Sequence, residues 1–152
     1  MTPEDKLKAL GIVLPHVAPP VANYVPFKVT GDLVFISGQI PTDSGRVVYK
    51  GAVDKGISIE DARDAARLAA INVLAAAKAA AGDLSRIEFV RVEGFVASSP
   101  GFSDQAKVIN GASDLFVEVL GDAGRHARFA VGAAELPLGV PVEVAAVLRI
   151  KS

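Results

Sequence analysis

Residues 59–81, IEDARDAARLAAINVLAAAKAAA, constrain this chain more than any other stretch. Ser58 supplies an N-cap hydroxyl, Asp61 stands three positions on as a short capping-box partner, and Gly82 is a stop at the left-handed cap position. Ile59, Ala62, Ala66, Ala69, Ala70, Val73, Ala76, Ala77 and Ala80 recur at three-four spacing and make one apolar face. Alanine has little bulk. Such a face contributes to a fold only when the helix backbone comes close to its partner. The stretch therefore predicts a helix lying tightly on a β-sheet.

The rest of the chain supplies the sheet. YVPFKVTGDLVFISGQIP reads as two strands around Thr30-Gly31-Asp32, with Val25, Phe27 and Val29 alternating with Pro26 and Lys28. Leu33 to Ile36 is continuously apolar, which predicts cover on both faces. TDSGRVVYKGAVDKG is polar and glycine-rich and reads as a hairpin or loop. In IEFVRVEGFVAS, Phe89, Arg91, Glu93 and Phe95 alternate with Val90, Val92 and Gly94. Gln105 to Leu120 reads as a second helix, with Val108, Ala112, Leu115, Phe116 and Val119 inward and Gly121 as its stop. The final strands are Ala127 to Ala134 and Val140 to Ile150. At the N-terminus, Thr2, Pro3, Glu4 and Asp5 start a short helix that Gly11 stops. The three prolines of LPHVAPPVAN (residues 14–23) then predict an extended connection. The order is strand, strand, helix, strand, helix, strand, strand. It points to an α+β fold, a mixed sheet with both long helices on one face. No linker divides the chain, so residues 1–152 read as one domain with a helical extension at about 1–11.

Composition narrows the function. The chain has no cysteine, which excludes disulfides, thiolate metal sites and a cysteine nucleophile. Its two histidines, His16 and His126, are far apart, which argues against a structural zinc site. The net charge is −1 and no basic run of five residues occurs, so no nucleic-acid footprint is visible. Leu68 to Ala77 is half the length of a membrane span, and the N-terminus does not read as a secretory signal. The cytoplasm is the expected location. Walker loops, G-x-G-x-x-G after a strand, H-E-x-x-H and G-x-S-x-G are all absent.

Two charges stand out. Arg128 and Glu143 sit inside the two apolar runs of GRHARFAVGAAELPLGVPVEVAAVL. Either charge buried alone costs several kcal/mol, on the order of what one ion loses on leaving water. Two readings follow. The pair neutralises itself or lies on a solvated face. Alternatively, Arg128, flanked on its face by Ala130, Gly132 and Ala134, waits for a ligand carboxylate that its planar fork matches, and Glu143 is a general base or acid in a dry pocket. Asn110-Gly111 is a second oddity, since both are poor helix formers and yet lie mid-helix. That favours a packing or pocket role for Asn110. His126 reads as a surface or interface residue.

SGQIP (37–41), NGASDLF (110–116), GRHAR (124–128) and LPLGVPVEV (136–144) resemble the YjgF/RidA family, once labelled L-PSP endoribonucleases. The similarity runs from Tyr24 to Ile150 and is strongest to a longer bacterial branch. It implies a chorismate-mutase-like α+β unit, a homotrimer with pockets between adjacent subunits, and no metal or organic cofactor. The implied activity is hydrolysis of 2-imino or enamino acids to 2-oxo acids and ammonia. By the same resemblance, Arg128 binds the substrate carboxylate and Glu143 activates water. Tyr24, Ser37, Gly38, Asn110 and Ala130 bind substrate. Two departures are visible. Many members carry a cysteine where this chain has Ala130, and extra residues fall in 42–56 and 97–103. The leading expectation is therefore an imine deaminase acting on a small carboxylate-bearing substrate. Binding of a small carboxylate without turnover is the alternative, and an endoribonuclease is a weaker one.

Overall fold

A carbonyl meeting a glycine sets the distance between the two long helices. In this computed structural model, which describes residues 1–17 and 22–152, they are α2 (Ile59–Ala81) and α3 (Gln105–Leu120). At their crossing a Cβ on Gly111 would collide with the Arg63 carbonyl oxygen, so only glycine lets the backbones approach this closely. Seven of the nine predicted face residues are buried, and Ile59 and Ala80 at the two ends are partly so. The buried face is wider than the three-four spacing predicts: Ala65, Leu74, Ala75 and Ala81 are buried as well, since α2 packs against both α3 and the sheet. Ser58 Oγ accepts a hydrogen bond from Asp61 N, half of the expected box, whereas the reciprocal box is complete at Thr2 and Asp5 of α1 (Pro3–Ala9). Leu7 of α1 joins the core.

Beneath the helices lies a mixed sheet of β1 (Phe27–Thr30), β2 (Leu33–Gln39), β5 (Ile87–Ala97), β6 (Ala127–Ala133) and β7 (Val142–Ile150). Its order is β1-β2-β7-β5-β6. Only β5 and β6 run parallel, joined by α3 as the crossover. A short hairpin of β3 (Thr42–Asp43) and β4 (Arg46–Val47) stands apart. Pro26 has no N–H for the ladder, and β1 starts after it; the Pro26 carbonyl instead accepts from Ser37 N. Residues 18–21 of the predicted extended connection lie outside the described residues. Among the described residues no helix is long and apolar enough to cross a membrane.

Both long helices pack on one face, as expected, and there Val34, Val92, Val96 and Leu148 are fully buried. Two expectations fail on the other face. Leu33 to Ile36 is covered on one side only: Val34 and Ile36 are buried, but Phe35 is 44% exposed. In β5 a bulge between Phe89 and Arg91 breaks the alternation. Phe89 turns to the core with Val92, and its ring lies 4.3 Å from that of Phe116. Phe129 and Phe95 meet edge to face on the open side, with the Arg91 guanidinium 5.0 Å above Phe129.

Candidate functional site

Strand register decides where the two charges point. Val92 pairs with Arg128 on one side and Ala146 on the other, and Val92 faces the helices. Glu143 pairs with Phe95, on the opposite face. Arg128 and Glu143 therefore cannot neutralise each other within one chain; the other half of that reading, a solvated position, fits Arg128, which is exposed. Each belongs to its own cluster.

The first cluster lies where the edge strand β6 passes beside α3. Arg128 Nη1 donates to Asn110 Oδ1 at 2.9 Å and to Ser113 Oγ at 3.1 Å. Asn110 and Ser113 are three residues apart on α3 and so share a face. The glycine crossing at Gly111 sets the helix that carries them. Behind Ser113 stands His126, whose Nε2 is 2.9 Å from Ser113 Oγ and whose Nδ1 is 2.6 Å from the Gly124 carbonyl. Burial lowers the proton affinity of His126, and the positive charge of Arg128 acts the same way, while the Gly124 carbonyl opposes both. Ala130, two residues beyond Arg128 on the same face, packs against the core. Loop 97–103 borders this side: Gln105 Nε2 donates to Ser98 Oγ at 3.2 Å, and both lie against Gly132.

The second cluster forms at a bulge in β2 between Ile36 and Gln39. A Cβ on Gly38 would collide with Glu143 Oε2, so this glycine is what leaves room for the carboxylate. Glu143 is half-buried, and desolvation pushes its carboxyl above the usual range. Ser37 Oγ donates to the Val25 carbonyl at 2.6 Å, which fixes the bulge. Ser37, Gly38 and Tyr24 line a cavity of about 410 Å³ whose floor is Ala75 and Ala76 of α2. Thr42, Ser44 and Gly45 complete one wall, so the 42–56 loop borders this cluster. Asn72, which the sequence reading missed, points an amide here and donates to Ile40 O and Thr42 O at 3.0 and 3.2 Å.

One chain thus holds two incomplete sites: a cation held by a helix, and a half-buried carboxylate that lies against Gly38 on the open face, the cavity being on the α2 side of that glycine. Tyr24, Ser37 and Gly38 line one cavity, Glu143 touches Gly38 from the open face, and Asn110, Arg128 and Ala130 lie together. Ser113 and His126 are additions. Ser113 was detectable as the residue one helical turn from Asn110. Among the described residues, no three His, Cys, Asp or Glu side chains gather as a metal ion requires.

A small α+β sheet backed by two long helices, one of them alanine-rich, with an arginine on its edge strand and a glutamate at the start of its last strand, defines a class that comparison bears out. The model of the family described as "YjgF/chorismate mutase-like, putative endoribonuclease" matches residues 4–147, and the chain belongs to that family. Protein TCP17 of Trypanosoma cruzi is 41% identical over 96% of this chain and 92% of that one. The crystal structure of the protein Atu1372 from Agrobacterium tumefaciens is 47% identical, with a TM-score of 0.92 over 99% of this chain and 94% of that one. The structure of Escherichia coli TdcF with bound serine is 27% identical, with a TM-score of 0.64 over 90% of this chain and 94% of that one.

Proposed function

We propose that the protein hydrolyses reactive 2-imino and enamino acids to 2-oxo acids and ammonia, in a site completed between copies of the chain. The observation that carries this reading is the pairing of Gly38 with a half-buried Glu143 whose carboxyl is made more basic by desolvation. It gives a general base beside Gly38 on the open face, and Arg128 gives a carboxylate partner already ordered by Asn110. In the proposed reaction Arg128 pairs with the substrate carboxylate. Glu143 takes a proton from water as the oxygen bonds to the imine carbon, and the C=N electron pair moves to nitrogen, which is protonated. Collapse of the carbinolamine breaks the C–N bond, forms the C=O bond and releases ammonia. An enamine enters by protonation at its β-carbon. The substrate is already reactive, so positioning and one base supply the needed acceleration.

The two clusters lie on opposite faces, so the reading requires a second copy. We take the assembly to be a homotrimer in which the β6 edge of one copy meets the open face beside Gly38 of the next. The exposure of Phe35 and Val131, 44% and 43%, on that face supports an occupant there.

Release of ammonia and 2-oxo acid from freshly generated 2-aminoacrylate tests the reading. The wild type accelerates it, and Arg128→Ala reduces the acceleration at least about hundredfold, the scale on which misplaced substrates lose rate. No acceleration by the wild type overturns it. The bound serine of the TdcF structure favours a second reading, capture of a small carboxylate without turnover. Saturable 2-oxo acid binding with no catalysis would establish that one. RNA cleavage that survives stringent purification and disappears in Arg128→Ala would replace both.

A further inference from the structure

Ser113 and His126 take no part in the proposed chemistry, yet they stand in line behind the guanidinium. His126 Nδ1 faces the Gly124 carbonyl at 2.6 Å. A carbonyl only accepts, so Nδ1 carries the proton. The neutral ring then has its lone pair on Nε2, and Ser113 Oγ donates to it across 2.9 Å. With its proton committed there, Ser113 Oγ meets the guanidinium as an acceptor, polarised by the link behind it. The ring is wedged between aromatics, 5.9 Å from Phe116 edge-on and 6.1 Å from Phe89. The turn bearing Gly124 is equally fixed, because a Cβ there would collide with the Phe116 carbonyl. Around the ring, β6 presents Arg128 as the charged group; the turn presents a carbonyl, and α3 and β5 present Ser113, Phe116 and Phe89, none of them charged.

A guanidinium has five N–H groups, two of them on Nη1. Asn110 and Ser113 engage both Nη1 hydrogens, and no partner is recorded for Nε or Nη2 among the described residues. We propose that Ser113 and His126 are positioning residues that hold Arg128 by Nη1, so that a ligand carboxylate docks side-on, on Nε and Nη2. End-on docking needs an Nη1 hydrogen and is excluded by the two partners already there. The proposal rests on the reading that Arg128 binds a carboxylate, and it adds which edge of the fork does so and what aims it.

Pyruvate affinity of the full chain, measured by calorimetry, tests the relay. Ser113→Ala and His126→Phe each weaken binding roughly tenfold, the worth of one hydrogen bond to a charged group. His126→Gln, whose side-chain oxygen can accept from Ser113, restores most of it. In an Arg128→Lys background, which lacks the fork, Ser113→Ala causes no further loss. Equal loss in both backgrounds means a general structural role and overturns the proposal, as does unchanged affinity in Ser113→Ala. If the wild type binds no pyruvate, the carboxylate reading fails by itself, and ¹⁵N NMR decides the relay. A neutral His126 ring protonated on Nδ1, whose Nε2 signal moves in Ser113→Ala, supports it. Protonation on Nε2, or indifference to that substitution, overturns it.

Discussion

On the helix side of the sheet, Val34, Val92 and Leu148 are completely buried, while across the same strands Phe35 and Val131 keep 44% and 43% of their surface exposed. Both sides are apolar. They differ in what lies on top: α2, with its alanine face, and α3 on one, and no helix among the described residues on the other. No charged or polar residue is buried among those described. The ionisable groups of the candidate site stand at the margins of the closed layer instead. Arg128 is on the edge strand beside α3, and Glu143 is on the open face where one glycine makes room for it. Closure stabilises, and incomplete closure leaves places for chemistry.

Enlarging the closed side tests this most severely. Phe116→Ala removes a fully buried ring that packs on Phe89 and flanks His126, and costs about 3–5 kcal/mol in urea unfolding. Next comes Gly38→Ala on the open side. Its methyl group displaces the Glu143 carboxylate, and deamination falls about hundredfold, while the unfolding midpoint hardly moves. Phe35→Asp acts on association. Unfolding of the dilute chain changes by less than about 1 kcal/mol, as at most exposed positions, but sedimentation shows a smaller assembly. If unfolding falls as far as in Phe116→Ala, the two faces are not different in kind.

The smallest effect is in pH. Burial raises the Glu143 pKa above its ordinary 4.5, so the folded state holds that proton more tightly than the unfolded chain. Stability contributed by Glu143 therefore declines as pH rises above 4.5 and levels off beyond the folded pKa. Glu143→Gln abolishes that slope, and melting temperatures of the two proteins converge toward acid. A wild type with the opposite slope, absent in the variant, would place the carboxylate among donors that stabilise its charge.

Helices were the most legible part of the sequence, since α2 and α3 begin and end where Ser58, Gly82 and Gly121 predict. Their caps are local signals. Phe89 was misread because a bulge adds a residue without any mark in the apolar pattern. Phe35 was misread because an apolar run says that a face wants cover, not that the same chain provides it. The candidate residues could be named from the sequence, but their division into two clusters could not: it depends on which strand pairs with which, and Val92, Phe95 and their partners meet only in the folded sheet. His126 was set aside because its contacts, with Ser113 on α3 and the Gly124 carbonyl, exist only once the turn and the helix are folded together.

The contact at Gly111 also sets a mechanical tolerance. A helix advances 1.5 Å per residue along its axis, and the Asn110–Arg128 hydrogen bond is 2.9 Å long. A slide of α3 along α2 by a single residue's rise is about half the length of that bond, enough to stretch and misalign it. The placement of the Arg128 guanidinium is thus gauged by two backbones touching at the residue next to Asn110, one that has no side chain of its own.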